Sequence, residues 1–412
     1  MSAVGFSGQW FIVTCGTKLI AIDTKQTRKQ FVFDCSSAEK KPKNTNPKDD
    51  NNSDCCEEQK GTDKILAFTV SPSGKLVALT DDMKRLVLLQ CEPSWQCISI
   101  RWVARRCKSL VFSQAEDQLL AADKSGDVYS FSVVEPQKES ELKMGHLSML
   151  LAVTMSPDDR YIITADRDEK IRVSHLRCPY KIQSFCLGHE EFVTALLIPS
   201  GRSHCLLSGS GDGTVKLWEY ESGCRLQSWN IKELEEKQGT EADKEKKRTV
   251  CRIASSHNGN HIAVQCERLS TVQFFTLDQE KGEERLVPHS RITLPHCPLD
   301  VTFDPKGQFW VLMDSSDMPL QLYTHTEGSW QCHAQSPELN KVTEAFKPHW
   351  DTVEASERTS HSFEHLHKVS FDNVTSYLQK KQQRLEEQQL KRTMAQKANS
   401  TKKAKKETQS SD

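Results

Sequence analysis

The chain has 412 residues, of which 36% are hydrophobic and 27% charged, with 55 Lys and Arg against 56 Asp and Glu. This composition excludes a fully disordered chain, and the near-even charge excludes a globally basic nucleic-acid binder, so any basic surface must be local. No run approaches the ~18 consecutive apolar residues of a membrane span, and MSAVGFSGQWFIVTC at the start lacks the basic and apolar regions of a secretory signal.

A reducing compartment, cytosol or nucleus, follows, with free thiols expected for the 15 cysteines. There is no Cys-x-x-Cys and no paired Cys and His knuckle, so no metal site is expected.

Taken in chain order, the first element is GQWFIVTCGTKLIAID from Gly8, a weak copy of a unit that recurs later. Lys40 to Gly61 is charged and apolar-poor, a surface insertion that cannot bury enough area to order itself. Four segments then share one layout of polar turn, apolar run, Asp-rich turn and second apolar run. They are SPSGKLVALTDDMKRLVLL from Ser71, SQAEDQLLAADKSGDVYSFSV from Ser113, SPDDRYIITADRDEKIRVS from Ser156 and IPSGRSHCLLSGSGDGTVKLWEY from Ile198. Their first apolar runs start at Leu76, Gln118, Tyr161 and Cys205, steps of 42, 43 and 44 residues. A second insertion of the same character, Lys232 to Arg248, precedes two weaker copies, SHNGNHIAVQC from Ser256 and DPKGQFWVLMD from Asp304.

The period lies within the ~40–45 residues of a WD repeat, each of which builds one four-stranded propeller blade. With the insertions removed, Gly8 to Phe346 holds about seven such units. The fold expected is therefore all-β, a seven-bladed WD-repeat β-propeller followed by a C-terminal helix and a basic tail. Its bounds are 1–346 for the propeller, 347–370 for a linker, 371–394 for the helix and 395–412 for a disordered basic tail. The ring is expected to close by strand exchange, with Gly8 to Cys15 beside Phe309 to Asp314 or the strands just after it.

The repeat signature is best kept in the fourth copy, where His189, Ser208, Asp212 and Trp218 are expected to form a hydrogen-bonded network locking the turns of the blade. Gly145-His146, Thr164 and Asp168 repeat the pattern one blade earlier without the Trp. Gly209-Ser210-Gly211-Asp212-Gly213 looks like a glycine-rich cofactor loop, but Thr-Val-Lys-Leu-Trp follows it, a strand rather than the helix a nucleotide fingerprint must open. The histidines recur in blade register, which speaks for structure rather than catalysis, and no Gly-x-Ser-x-Gly, His-Glu-x-x-His or Walker loop is present. No catalytic residue is assigned.

The turn from Asp166 to Lys170 is densely charged, and Lys124 occupies the register of Arg167 in the preceding blade. Two readings stand side by side. The turn is either a solvated strand connection or a contact in which the planar donor fork of Arg167 meets a carboxylate on a partner protein.

From Phe371 the chain loses Gly and Pro and turns rich in Gln, Lys, Glu and Leu, with Asp372 or Asn373 able to cap a helix. Lys391, Arg392, Lys397, Lys402, Lys403, Lys405 and Lys406 follow with no acidic residue among them. Such a run suits nucleic acid, a nuclear import receptor or plain solvation.

The strings LTDDMKRL, VARRC, ADKSGDVYSFSV, GHLSMLL, SPDDRYIITADRDEKIRVS and FDNVTSYL closely resemble the non-catalytic WD-repeat subunit of the eukaryotic tRNA guanine-N7 methyltransferase, over nearly the full length. The resemblance implies a scaffold without a cofactor of its own, S-adenosylmethionine being bound by a catalytic partner that methylates a guanine in the tRNA variable loop. It implies partner contacts at Arg167, Asp166, Asp168 and Lys170, with Lys124 beside them. It makes Lys380, Lys381, Arg384, Lys391 and Arg392 candidates for tRNA contact, and the nucleus, with the cytoplasm second, the expected compartment. The other reading is a substrate receptor of a ubiquitin ligase or a general scaffold. The Trp-Asp-x-Arg ending common in such receptors is here Trp218-Glu219-Tyr220-Glu221.

Overall fold

The computed structural model describes residues 2–25, 28–40, 61–234, 248–280, 282–352, 363–368, 374–375 and 377–389. Most of both insertions, and the tail from 390 onward, lie outside the described residues. Two units are separable, Met1–His367 and Lys368–Asp412.

The first unit is a seven-bladed propeller. Its blades, each four antiparallel strands named a to d from the inside outward, span Ala3–Asp34, Ile65–Trp102, Cys107–Gly145, Leu150–Cys186, Val193–Asn230, Val250–Thr293 and Pro298–Cys332. The seven a strands touch one another in cyclic order, the last meeting the first.

Burial explains the sequence pattern. Strand b of blade 4 (Tyr161–Asp166) and of blade 5 (Cys205–Ser210) is buried at every position, because neighbouring blades cover both its faces. Such a strand has no solvated face, so its sequence does not alternate, and its polar residues Thr164 and Ser208 are buried as well. The outermost strand of blade 5, Cys224–Asn230, is largely solvated and polar, which protects its edge from pairing with another chain.

In four copies a leading Ser closes the turn between strands a and b. The Oγ atoms of Ser71, Ser113, Ser156 and Ser256 accept from the N–H five residues on, at 2.9–3.2 Å. All four serines are buried. The fourth residue of this turn has positive φ, which glycine meets without strain at Gly74, Gly259 and Gly307. Glu116 and Asp159 accept it instead, and their carboxylates reach the backbone of the preceding blade's turn, Glu116 at Ser73 and Asp159 at Gln114 and Ala115.

The root of the first insertion is held by one buried guanidinium. Arg85 is 1% exposed; it bonds Asp81 at 2.6 Å, Asp63, and the carbonyls of Ala38 and Glu39. Both ends of the chain that enters and leaves 41–60 converge on it.

The ring does not close by strand exchange. Trp10–Cys15 pairs within its own sheet, and blade 7 carries its own outer strand, Ser329–Cys332. Closure is by face packing, strand a of blade 1 against strand a of blade 7, with the Val4 N–H bonded to Asp300 Oδ2 at 2.8 Å. A helix then clasps the seam. Helix α1 (Ile231–Leu234) merely follows blade 5, whereas α2 (Pro337–Phe346) contacts strand c of both blade 7 and blade 1. Leu339, Val342 and Phe346 share one helical face and enter a cluster with Phe11, Val13, Ile20, Trp310 and Leu322.

Three imidazoles meet between blades 6 and 7: His261, His289 and His325, with ring centroids 4.5–5.5 Å apart. Burial, and then repulsion from His325 and His289, push His261 down to about 4 from its ordinary 6.5. The unfolded chain thus takes up a proton that the folded chain refuses. Stability is expected to fall as pH drops from about 6.5 toward 4 and to level off below that. Urea midpoints at about pH 7.5 and pH 5 read this loss, and His261→Asn should shrink it. An identical pH dependence in the variant would remove His261 as the cause.

Candidate functional site

The turns between strands b and c and the loops between blades lie on one face of the ring, tied by a repeated backbone bond. The N–H groups of Asp82, Lys124, Arg167, Gly211, Glu267 and Asp314 donate to the carbonyls of Lys64, Arg106, Met149, Phe192, Thr249 and Cys297, at 2.8–3.1 Å. These six residues occupy equivalent positions in blades 2 to 7. Among them only Lys124 and Arg167, on adjacent blades 3 and 4, are cations, and the rest are acidic or glycine.

The residue before each ends strand b, and in blades 2 to 5, where it is Asp81, Asp123, Asp166 and Ser210, its side chain accepts from an N–H of the turn. Asp123 Oδ1 accepts from the N–H groups of Ser125 and Asp127, and Asp166 Oδ1 accepts from those of Asp168 and Lys170. Sequence reading placed Asp166 among surface contacts, but it is 2% exposed, with both oxygens occupied inside the blade. It also takes the role given to Asp168. His146 bonds Asp166 Oδ2 at 3.2 Å and Thr164 Oγ1 at 2.8 Å, while Asp168 and Lys170 are exposed. A carboxylate two residues earlier, already at the strand end, reaches the imidazole first. Lys124 is exposed and Arg167 half-buried, with Glu169 holding the turn at φ 70°.

Arg167 has a neighbour that sequence reading missed. The chain returns at 363–367, inside the expected linker, and packs on this face. Arg167 Nε donates to the Leu366 carbonyl at 3.4 Å, Leu366 is 1% exposed, and it joins Leu151 and Phe192. The only signal was Phe363 and Leu366 three apart in a polar stretch. Leu147, in the loop entering blade 4, is fully exposed on the same face.

In blade 5, His189, Ser208, Asp212 and Trp218 form one relay. Trp218 Nε1–H donates to Ser208 Oγ at 2.8 Å, Ser208 lies 2.7 Å from His189 Nε2, and His189 Nδ1 lies 2.9 Å from Asp212 Oδ2. The chain is satisfied throughout if the imidazole carries its proton on Nδ1. Burial lowers the His189 pKa despite Asp212. Burial works against charge on Asp212, and hydrogen bonds from His189, Thr214 and the Glu190 N–H outweigh it, holding the carboxyl well below its usual range. The imidazole stays neutral and the carboxylate charged, which suits a lock between turns.

The family model described as tRNA methyltransferase TRM82 WD40 domain matches residues 20–141 and 132–346. The tRNA (guanine-N(7)-)-methyltransferase non-catalytic subunit wdr4 of Danio rerio is 55% identical over 398 residues, covering 96% of this chain and 95% of the relative. The chain belongs to this family of non-catalytic subunits. The Homo sapiens subunit WDR4 is 44% identical over 375 residues, covering 90% of this chain and 88% of the relative. Among solved structures, the RRP9 WD40 repeats match with a TM-score of 0.59 at 18% identity, over 76% of this chain and 86% of that one, a likeness of fold alone.

In this non-catalytic subunit the glycines of the 209–213 turn serve packing. A Cβ on Gly209 would meet Val250 at 2.5 Å and one on Gly211 the Phe192 ring at 2.6 Å, while Gly213 has φ 78°. The turn joins two strands, Cys205–Ser210 and Thr214–Glu219. In the second unit, residues 377–389 are helical, and Lys380, Lys381 and Arg384 are exposed. So are Val374, Tyr377, Leu378 and Leu385, an apolar stripe at helical spacing. Lys391 and Arg392 lie outside the described residues.

Proposed function

We propose that the chain is a scaffold that stabilises the catalytic subunit of the tRNA guanine-N7 methyltransferase and helps hold tRNA for methylation in the variable loop, in the nucleus. S-adenosylmethionine is bound by the catalytic subunit. The observation that carries the reading is the adjacent pair of cations, Lys124 and Arg167, at a position that is acidic or glycine in the other blades compared. A half-buried guanidinium there offers a fixed fork to a partner carboxylate. Asp168 and Lys170 border it, and Asp166 sets the turn from within rather than touching the partner.

The tail supplies the RNA contact. Lys380, Lys381 and Arg384 lead into the run from Lys391, and cations so spaced meet phosphates, which position RNA without reading its bases. Ending the chain at Leu390 should weaken tRNA binding by the heterodimer and reduce its salt dependence, each lost phosphate contact lowering the slope of log K against log salt by about 1. Filter binding at several salt concentrations measures it. An unchanged slope would take the RNA role from this run.

A further inference from the structure

The returning segment 363–367 is built into the face that carries Arg167. Phe363 stacks on Phe192 with centroids 6.1 Å apart, His367 sets its ring edge-on to Phe192 at 4.9 Å, and Leu366 is sealed between them and Leu151. Polar contacts fix its orientation. The Phe363 N–H donates to Glu267 at 3.2 Å, Arg268 pairs with Glu364 at 2.6 Å, and His367 Nδ1 lies 3.5 Å from Glu191. The segment thus crosses from the turn of blade 6 to Arg167 of blade 4.

We infer that Phe363 and Leu366 are positioning residues that anchor the start of the basic C-terminal segment beside Arg167, so that the tail engages tRNA at the edge where the catalytic subunit sits. This rests on the scaffold reading above. The anchor sets tether length. Docked, the chain leaves the propeller at Lys368, about 6 residues before the helical residue 374. Without the anchor the preceding described residue is Thr352, about 22 residues before residue 374. An effective concentration falling as the −3/2 power of tether length then drops roughly sevenfold. Nothing in this requires the anchor to touch RNA or partner. Its effect falls on tRNA capture, not on methyl transfer.

The test is steady-state tRNA methylation by the full heterodimer carrying Phe363→Ala with Leu366→Ala. With the catalytic subunit saturated by the chain, so that any loosening of Arg167 does not enter, the KM for tRNA should rise roughly sevenfold with kcat unchanged, and Phe363→Tyr with Leu366→Met should restore it. A second variant keeps the anchor and inserts a Gly/Ser stretch of about 16 residues between Lys368 and Val369, lengthening the tether alike without touching the fold, and it should raise KM similarly. If neither variant moves KM, the inference is wrong. If the alanine variant tightens the heterodimer and raises activity, the segment is an inhibitor of partner docking and the inference is equally wrong. A chain ending at His367 separates the two readings. If that truncation leaves KM unchanged, the tail does not hold tRNA and the scaffold reading itself loses its RNA half. If it raises KM while the anchor variants do not, only the anchor fails.

Discussion

Arg167→Glu is expected to weaken the heterodimer at least a hundredfold, about 3 kcal/mol, while leaving the propeller's unfolding transition in place. The size follows from reversal rather than loss. In the proposed interface a partner carboxylate desolvated against the half-buried guanidinium would lose its counter-charge and gain a like charge, and disrupting such interfacial pairs costs 2–5 kcal/mol or more. The fold is spared because Asp166, not Arg167, holds the turn through the Asp168 and Lys170 N–H groups, and the Arg167 N–H to Met149 is a backbone bond that any residue keeps. Lys124→Glu should act in the same direction with a smaller effect, about tenfold, because an exposed ammonium is screened by solvent and salt. Titration calorimetry and thermal melts on the two variants read both halves. A melt lowered along with affinity would mean that Arg167 is structural.

Phe346→Ala should cost about 3–5 kcal/mol of propeller stability, the range for emptying a large aromatic site in a core. Phe346 is 0% exposed and belongs to the cluster that joins strands of blades 1 and 7. A ring is stabilised by closure, so loss at this one seam frees both ends. Hydrogen exchange should rise first in Ala3–Cys15 and Pro298–Met313, before the central blades. Val32→Ala, on the outer strand of blade 1 and 42% exposed, is the matched control and should be nearly neutral. A cost below about 1 kcal/mol at Phe346 would mean that the seam holds without the helix.

The blades were legible because each has a local cause. A leading Ser closes the turn before strand b at Leu76, Gln118 and Tyr161, and strand b is covered on both sides, so these and Cys205 mark strand starts in the structure as in the sequence. Closure was not legible in the same way. It depends on which non-repeating segment covers the seam, and that segment, Pro337–Phe346, was counted within the propeller in sequence but is a helix. The turn of blade 4 was half legible. Register put Lys124 beside Arg167, but register also pointed to Asp168 as the histidine's partner. Carboxylates stand at both 166 and 168 in the sequence, and only the backbone's path decides between them. The anchor at Phe363 and Leu366 is two apolar residues in a polar stretch, too few to make a period. Its meaning lies wholly in the distant Phe192 and Leu151.

On the proposed function this subunit acts through its partner. Methyl transfer to tRNA by a fixed amount of catalytic subunit, titrated with the purified chain, tests it most directly. Expected are no transfer by the chain alone, a rate that climbs and saturates at one chain per catalytic subunit, and no saturation over the same range with Arg167→Glu. Methyl transfer by the chain alone, or superimposable curves for the two proteins, would contradict it.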